Sequence, residues 1–181
     1  VEGESILKNP REVKRRLGVV PQEVAIYEEL SARENLSFWG GIFGLGGGGL
    51  RRRVDELLEQ VGLEDRAAEP TKNFSGGMKR RLNLALGLVH DPKLILLDEP
   101  TVGIDPQARH NILDVVKSIV AGGRTVLYTT HYLEEAEELC DRLAIIDHGQ
   151  ILAQGTVEEL KTQMGEGSLL TVQGDFVARS L

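Results

Sequence analysis

Two adjacent carboxylates, Asp98 and Glu99, stand directly after Leu94-Ile95-Leu96-Leu97, an apolar run without alternation. Such a run reads as a strand buried on both faces of a parallel sheet. Ligands of open α/β sheets bind outside the carboxyl ends of the strands. Paired carboxylates there suit Mg²⁺ binding and the positioning of an attacking water. In isolation, a solvated strand end reads the same way. Upstream, Ser75-Gly76-Gly77 opens a helix. Ser75 is a good N-cap, and two glycines leave the first backbone N–H groups unshielded. A helix start of this kind suits a phosphate, although an isolated tripeptide of this composition reads first as a cap and turn. Gln22 follows Pro21 and taken alone is a turn residue. His131 closes a β-rich run, and a lone histidine is more often structural.

Helices and strands must hold these residues in place. Asn9-Pro10-Arg11-Glu12 predicts a helix start, with Asn9 as N-cap and a short basic helix through Arg16. Leu17–Val20 reads as a strand. Ser31-Ala32-Arg33-Glu34 is a capping box. It opens a helix whose Leu36, Phe38, Trp39, Ile42 and Phe43 predict a core face. Gly46–Gly49 reads as a flexible connection between helices. Arg51–Gln60 is the next helix, stopped at Gly62, with Arg51-Arg52-Arg53 on a solvated face. Met78–Val89 continues the helix after Ser75 and ends at His90-Asp91-Pro92. Asp105-Pro106 caps a helix to about Val120, ended by Gly122-Gly123. Thr125–Thr130 predicts a second buried strand and Tyr132–Leu139 an acidic helix. Leu143–Ile146 and Gln150–Ala153 predict a hairpin turning at Asp147-His148-Gly149. Thr156 opens a helix to about Met164, and Leu169–Val172 begins a further strand.

The 181 residues suffice for one domain with a real core. A net charge of −7 argues against a general nucleic-acid binder, since such domains are usually basic. Cys140 is the single cysteine, so no internal disulfide forms, which fits a reducing compartment. No apolar run approaches the roughly 18 residues that cross a membrane, and the N-terminus carries no signal-peptide core. Work at a membrane would require a partner.

In order and spacing, these pieces resemble the nucleotide-binding domain of ATP-binding cassette (ABC) transporters. Ser75-Gly76-Gly77 resembles the signature motif, with Phe74 and Met78 in place of Leu and Gln. Leu94–Glu99 resembles the Walker B strand with its catalytic glutamate. Gly103-Ile104-Asp105 resembles the D-loop, Pro21-Gln22 the Q-loop and His131 the H-loop. The resemblance implies an α/β fold of the P-loop NTPase kind: a partial parallel sheet with a helical subdomain inserted. Residues 1–21 would be a remnant of the ATPase core and 22–91 the helical subdomain. Residues 92–164 would be the core proper, and 165–181 the start of a C-terminal extension. It further implies ATP and Mg²⁺. Glu99, His131 and Gln22 would be catalytic, with Asp98 and Gln22 at the metal. Ser75, Gly76 and Gly77 would bind the γ-phosphate held by a second ABC ATPase subunit in a head-to-tail dimer, and Asp105 would cross that interface. Transmembrane permease subunits would be the other partners. The wording SGGMKRRL, DEPTVGIDP and TTHYLEEAE looks most like drug and polymer exporters. The subunit would then sit in the cytoplasm, peripheral on the inner face of the cell membrane.

The family's P-loop, G-x-x-x-x-G-K-[ST], does not occur in this sequence. It would precede Val1, so the chain reads as a fragment cut before the P-loop, and its C-terminus reads as cut within a strand. One side of Leu94–Leu97 and of Thr125–Tyr128 would then lie open. Two other readings stand beside transport. A soluble ABC ATPase of chromosomes, repair or ribosomes is one; the Gln22–Ser75 interval is too short for a chromosome-type coiled coil. A degenerate, non-hydrolysing interaction module is the other, and the missing P-loop supports it.

Overall fold

The computed structural model describes residues 1–163; the strand expected at Leu169–Val172, the extension from 165 and the end of the last helix at Met164 lie outside them. Among the described residues, Val1–Leu139 and those from Cys140 onward are two compact units.

In the first unit, Glu2 and Gly3 form a turn. Helix α1 (Pro10–Arg16) starts on proline. Its expected cap fails: the Asn9 side chain makes no capping bond and donates instead to Glu4 at 2.5 Å. Strands β1 (Leu17–Val20), β2 (Leu94–Asp98) and β3 (Thr125–Thr129) form a parallel sheet in that order. Parallel neighbours need long crossovers. Between β1 and β2 the chain inserts α2 (Ala32–Ile42), α3 (Gly47–Gln60) and α4 (Gly76–Leu88). Between β2 and β3 it inserts α5 (Pro106–Ala121). Helix α6 (Leu133–Leu139) follows β3.

The two faces of the sheet differ. Ile95 and Leu97 are fully buried, and α4 closes tightly on β1. A Cβ on Gly18 would sit 2.3 Å from the Gly87 carbonyl oxygen, so only glycine permits this approach. On the other face Val19, Leu96 and Leu127 fall in one register row. Val19 is 54% and Leu127 59% exposed. The expectation of an open side is met at β3 and only in part at β2, where Leu94 and Leu96 are half-buried, and β3 is not the fully buried strand that its composition predicts.

The helical insert corrects the sequence reading three times. The glycine run is no loose connection: Gly46 is the N-cap of α3, and Gly47–Gly49 are its first turn. A tertiary contact explains this, because Leu50 packs on α2 where Gly40 leaves a gap that a Cβ would fill, 2.4 Å from Leu50 Cδ1. The buried stripe of α2 runs through Ala32, Asn35, Leu36 and Gly40. Phe38 (45% exposed) and Ile42 (58%) lie off it, while Trp39 and Phe43 are partly buried against the core. Arg53 is not on a solvated face; it donates to the carbonyls of Leu88 (2.7 Å) and Val89, at the open C-terminal end of α4. The capping box at Ser31 forms as predicted, with Ser31 Oγ accepting from the Glu34 amide and the Ser31 amide donating to Glu34. The Ser31 hydroxyl also donates to Glu34 Oε2 at 2.6 Å, and this bond, with the one from the Ser31 amide, holds the Glu34 carboxyl below its ordinary value.

The second unit is the predicted hairpin, β4 (Leu143–Asp147) with β5 (Gln150–Gly155), followed by α7 (Val157–Gln163). His148 and Gly149 turn it with φ of 45° and 76°, the backbone twist that two-residue hairpin loops favour. Burial pushes the Cys140 thiol up, which makes it a poor nucleophile.

Candidate active site

Glu99 is the first residue after β2, and its backbone is left-handed, with φ of 46°. A side-chain-bearing residue there is strained unless its surroundings hold it. They do: the Glu99 amide donates to the Thr129 carbonyl (3.2 Å) and to Thr129 Oγ1 (3.1 Å). Thr129 Oγ1 in turn donates to Asp98 Oδ1 at 2.7 Å. One threonine of β3 thereby fixes the Asp98 carboxylate and the Glu99 backbone. The Glu99 carboxylate meets His131 Nδ1 at 2.9 and 3.0 Å, one distance for each oxygen. Sequence reading placed Asp98, Glu99 and His131 at two strand ends, and the sheet register brings those ends together, Asp98 opposite Thr129. The glutamate and histidine side chains touch, although they are 32 residues apart.

Thr129 was not singled out in the sequence. Neither was Glu135, which is 2% exposed on α6 and accepts from Thr101, Tyr128 and Thr130. The available signs were a hydroxyl cluster, Tyr128-Thr129-Thr130, beside a glutamate-rich helix.

The Ser75 cap is present: Ser75 Oγ accepts from the Met78 amide at 3.2 Å. The two glycines after it differ. Gly76 is exposed, and a Cβ built there would meet nothing within 4 Å. Gly77 is buried, and its Cβ would lie 2.6 Å from Ala108 Cβ on α5. Ala108 is fixed in turn by Asp105, whose Oδ1 accepts from the Ala108 amide at 2.9 Å as the N-cap of α5. The starts of α4 and α5 are thus packed side by side. Gly77→Ala is expected to cost about 1–3 kcal/mol by overpacking, read from the denaturant midpoint. Adding Ala108→Gly should return most of that loss; a double variant as unstable as the single one would refute this origin.

Gln22 is exposed after β1, and its backbone is tied to α4. Arg80 donates to the Gln22 carbonyl and more weakly to Val102, at 3.4 Å. Asn83 accepts from the Ala25 amide (3.1 Å) and donates to the Pro21 carbonyl (3.2 Å). Burial pushes the Arg80 guanidinium below its ordinary value. The helix that begins at Ser75 therefore holds the Gln22 loop with its own side chains, about one and two turns from its start.

Among the described residues, no group of three or more His, Cys, Asp or Glu could enclose a metal. Among the described residues no helix is long and apolar enough to cross a membrane.

Similarity to known proteins extends over most of the chain. A family model described as ABC transporter matches residues 1–102. The linearmycin resistance ATP-binding protein of Bacillus subtilis (strain 168) is 49% identical over 176 residues, covering 96% of this chain and 57% of that protein. A Nod factor export ATP-binding protein I of Ralstonia nicotianae is 44% identical, covering 96% and 54%. A solved ATP-binding subunit of an ABC transporter superposes with a TM-score of 0.78 at 32% identity, covering 91% of this chain and 69% of that one. The chain spans about half the length of the curated relatives it matches.

Proposed function

This chain belongs to the ABC transporter family, and on that premise we propose that it is part of an ATP-hydrolysing subunit that powers export through a separate transmembrane partner. The observation that carries the reading is the strained Glu99, fixed by Thr129 and faced by His131. Strain held by surrounding bonds is typical of working residues.

In this reading, Glu99 orients the water that attacks the γ-phosphate and accepts its proton. His131 holds the Glu99 carboxylate through Nδ1 and turns toward the γ-phosphate. Asp98, already aligned by Thr129, and Gln22 would hold Mg²⁺, which neutralises phosphate charge when bound. Gln22 also couples the site to the helical subdomain, residues 22–91, because α4 holds its loop. In this reading, residues 1–21 and 92–164 belong to the ATPase core. Ser75, Gly76 and Gly77 present a hydroxyl and free amides to the nucleotide of a second ABC ATPase subunit, arranged head to tail. Asp105 lies at that interface, with one carboxylate oxygen engaged in its own cap. The subunit works in the cytoplasm on the inner face of the membrane, held there by permease subunits. The resistance and export names of its relatives support export as the direction.

The test uses the full-length subunit assembled with its permease. His131→Ala should lower kcat by about 10-fold or more and leave KM for ATP nearly unchanged, because the contact matters in the transition state. A raised KM with normal kcat would make His131 a binding residue. No change in either would return it to a structural role and remove the support of the Glu99 contact.

A further inference from the structure

Glu135 is a buried carboxyl that none of the roles above uses. Taking a carboxyl out of water is costly unless its oxygens are bonded. Here both are. Oε1 accepts from Thr101 Oγ1 at 2.7 Å, and Oε2 accepts from Tyr128 OH and Thr130 Oγ1, each at 2.9 Å. Arg109 Nε lies 3.4 Å from Oε1, charge against charge though out of line for a hydrogen bond.

The identity of those partners carries the inference. Thr101 follows Glu99 by two residues and is itself fully buried. Thr130 immediately precedes His131, and its hydroxyl also accepts from the Tyr132 amide at 3.0 Å. The Arg109 guanidinium lies 4.1 Å from the centre of the Tyr132 ring, and that ring is 4.2 Å from the His131 ring. One side chain therefore gathers the segment leaving Glu99, the segment entering His131 and the helix that Asp105 caps. His131 itself is exposed, so little beyond its backbone neighbours, Tyr132 and Glu99 fixes its ring. A core that only needed filling would take an apolar residue at 135; a carboxyl with hydroxyl partners from both sides of the site sets their relative position.

We propose that Glu135 is a positioning residue for ATP hydrolysis, one that keeps the His131 loop in register with Glu99 by holding Thr101 and Thr130 on its two carboxylate oxygens. The proposal rests on the reading of Glu99 and His131 given above. Glu135→Gln keeps the volume but removes the charge that faces Arg109 and one of the two acceptor oxygens, so the hydroxyl on the amide side must turn from donor to acceptor and the hold on Thr101 and Thr130 is weakened and rearranged.

The experiment is a double-mutant cycle in the full-length subunit with its permease, measuring ATP turnover and thermal midpoint. Glu135→Gln should lower kcat about 10-fold with KM for ATP within about two-fold. In a His131→Ala background the same substitution should cost less than about three-fold, because its effect passes through the histidine. Equal factors in both backgrounds would overturn the proposal and leave Glu135 a structural residue; so would an unchanged kcat, or a fall in kcat matched by a raised KM. Should Glu135→Gln fail to fold, Thr101→Val removes one hydroxyl at nearly constant shape, and the same cycle applies with an expected factor of about three. If His131→Ala and Glu99→Gln themselves leave turnover normal, the parent reading fails, and the proposal with it; that result is distinguishable because it appears without any change at Glu135.

Discussion

Glu99→Gln in the full-length subunit is expected to bind ATP without turning it over. Turnover is expected to fall by at least about 10²-fold, the range for loss of a general base. Glutamine has the shape of glutamate and keeps one oxygen for His131 Nδ1, now 2.9–3.0 Å from the carboxylate. The bonds from the residue 99 amide to Thr129 are backbone bonds on one side, and they survive the substitution. Asp98 keeps its hydrogen bond from Thr129, so the carboxylate proposed to hold Mg²⁺ is undisturbed. What disappears is the charge and the ability to accept a proton from water. Rapid mixing with labelled ATP reads the chemical step, and equilibrium binding reads affinity. Turnover within about three-fold of the parent would reject Glu99 as the base. Glu99→Gly sharpens the test. It should also lose turnover, yet glycine relieves a left-handed backbone that costs a side-chain-bearing residue about 1 kcal/mol or more. Lost activity without lost stability would show that the strain serves the site and not the fold.

The elements that bear the site were legible where their causes are local. Ser31, Ser75 and Asp105 cap helices through bonds spanning three residues, and a three-residue window suffices to foresee them. Strand β2 was legible because four consecutive apolar residues before two acids admit few other structures. The glycine turn at the start of α3 was not legible, because glycine lowers helix propensity and the deciding contact, Leu50 on Gly40, is between two helices. The core stripe of α2 was misread for a similar reason. It passes through Asn35, whose amide donates to the Tyr27, Leu30 and Ser31 carbonyls, and a hydrophobicity pattern cannot count an asparagine as core.

The site divides along the same line. Asp98, Glu99 and His131 announce themselves by type and by position at strand ends. Thr129 and Glu135 do not, since nothing distinguishes Glu135 from Glu134, Glu137 or Glu138 until α6 is laid against α5 and β3. Residues that act directly carry unusual chemistry and are visible in one dimension. Residues that position them are ordinary polar groups whose meaning depends on where the register brings them.

Gly76→Asp gives the second large effect, and its sign separates phosphate recognition from helix capping. A Cβ at Gly76 meets nothing within 4 Å, so the substitution fits without displacement. Aspartate near a helix N-terminus is favourable by about 0.3–1 kcal/mol, and the isolated subunit should be as stable as before or slightly more so. A phosphate seated on the same amides meets the new charge. Two unit charges about 4 Å apart repel by about 4 kcal/mol near a protein surface, which is on the order of 10²- to 10³-fold in turnover at the composite site. The control lies one residue on: Gly77→Ala carries no charge and should lose stability through Ala108. The two glycines of one motif are thus expected to fail in opposite ways, Gly76 in function at full stability and Gly77 in stability. The measurement is ATP turnover of the assembled transporter beside the denaturant midpoint of the subunit. Because the amides would serve the nucleotide of the other subunit, a mixed dimer with Gly76→Asp on one side should lose the site completed by that side and keep the other. Normal turnover in the doubly substituted dimer would reduce Ser75-Gly76-Gly77 to a cap and turn, and the head-to-tail arrangement would lose its anchor in this chain.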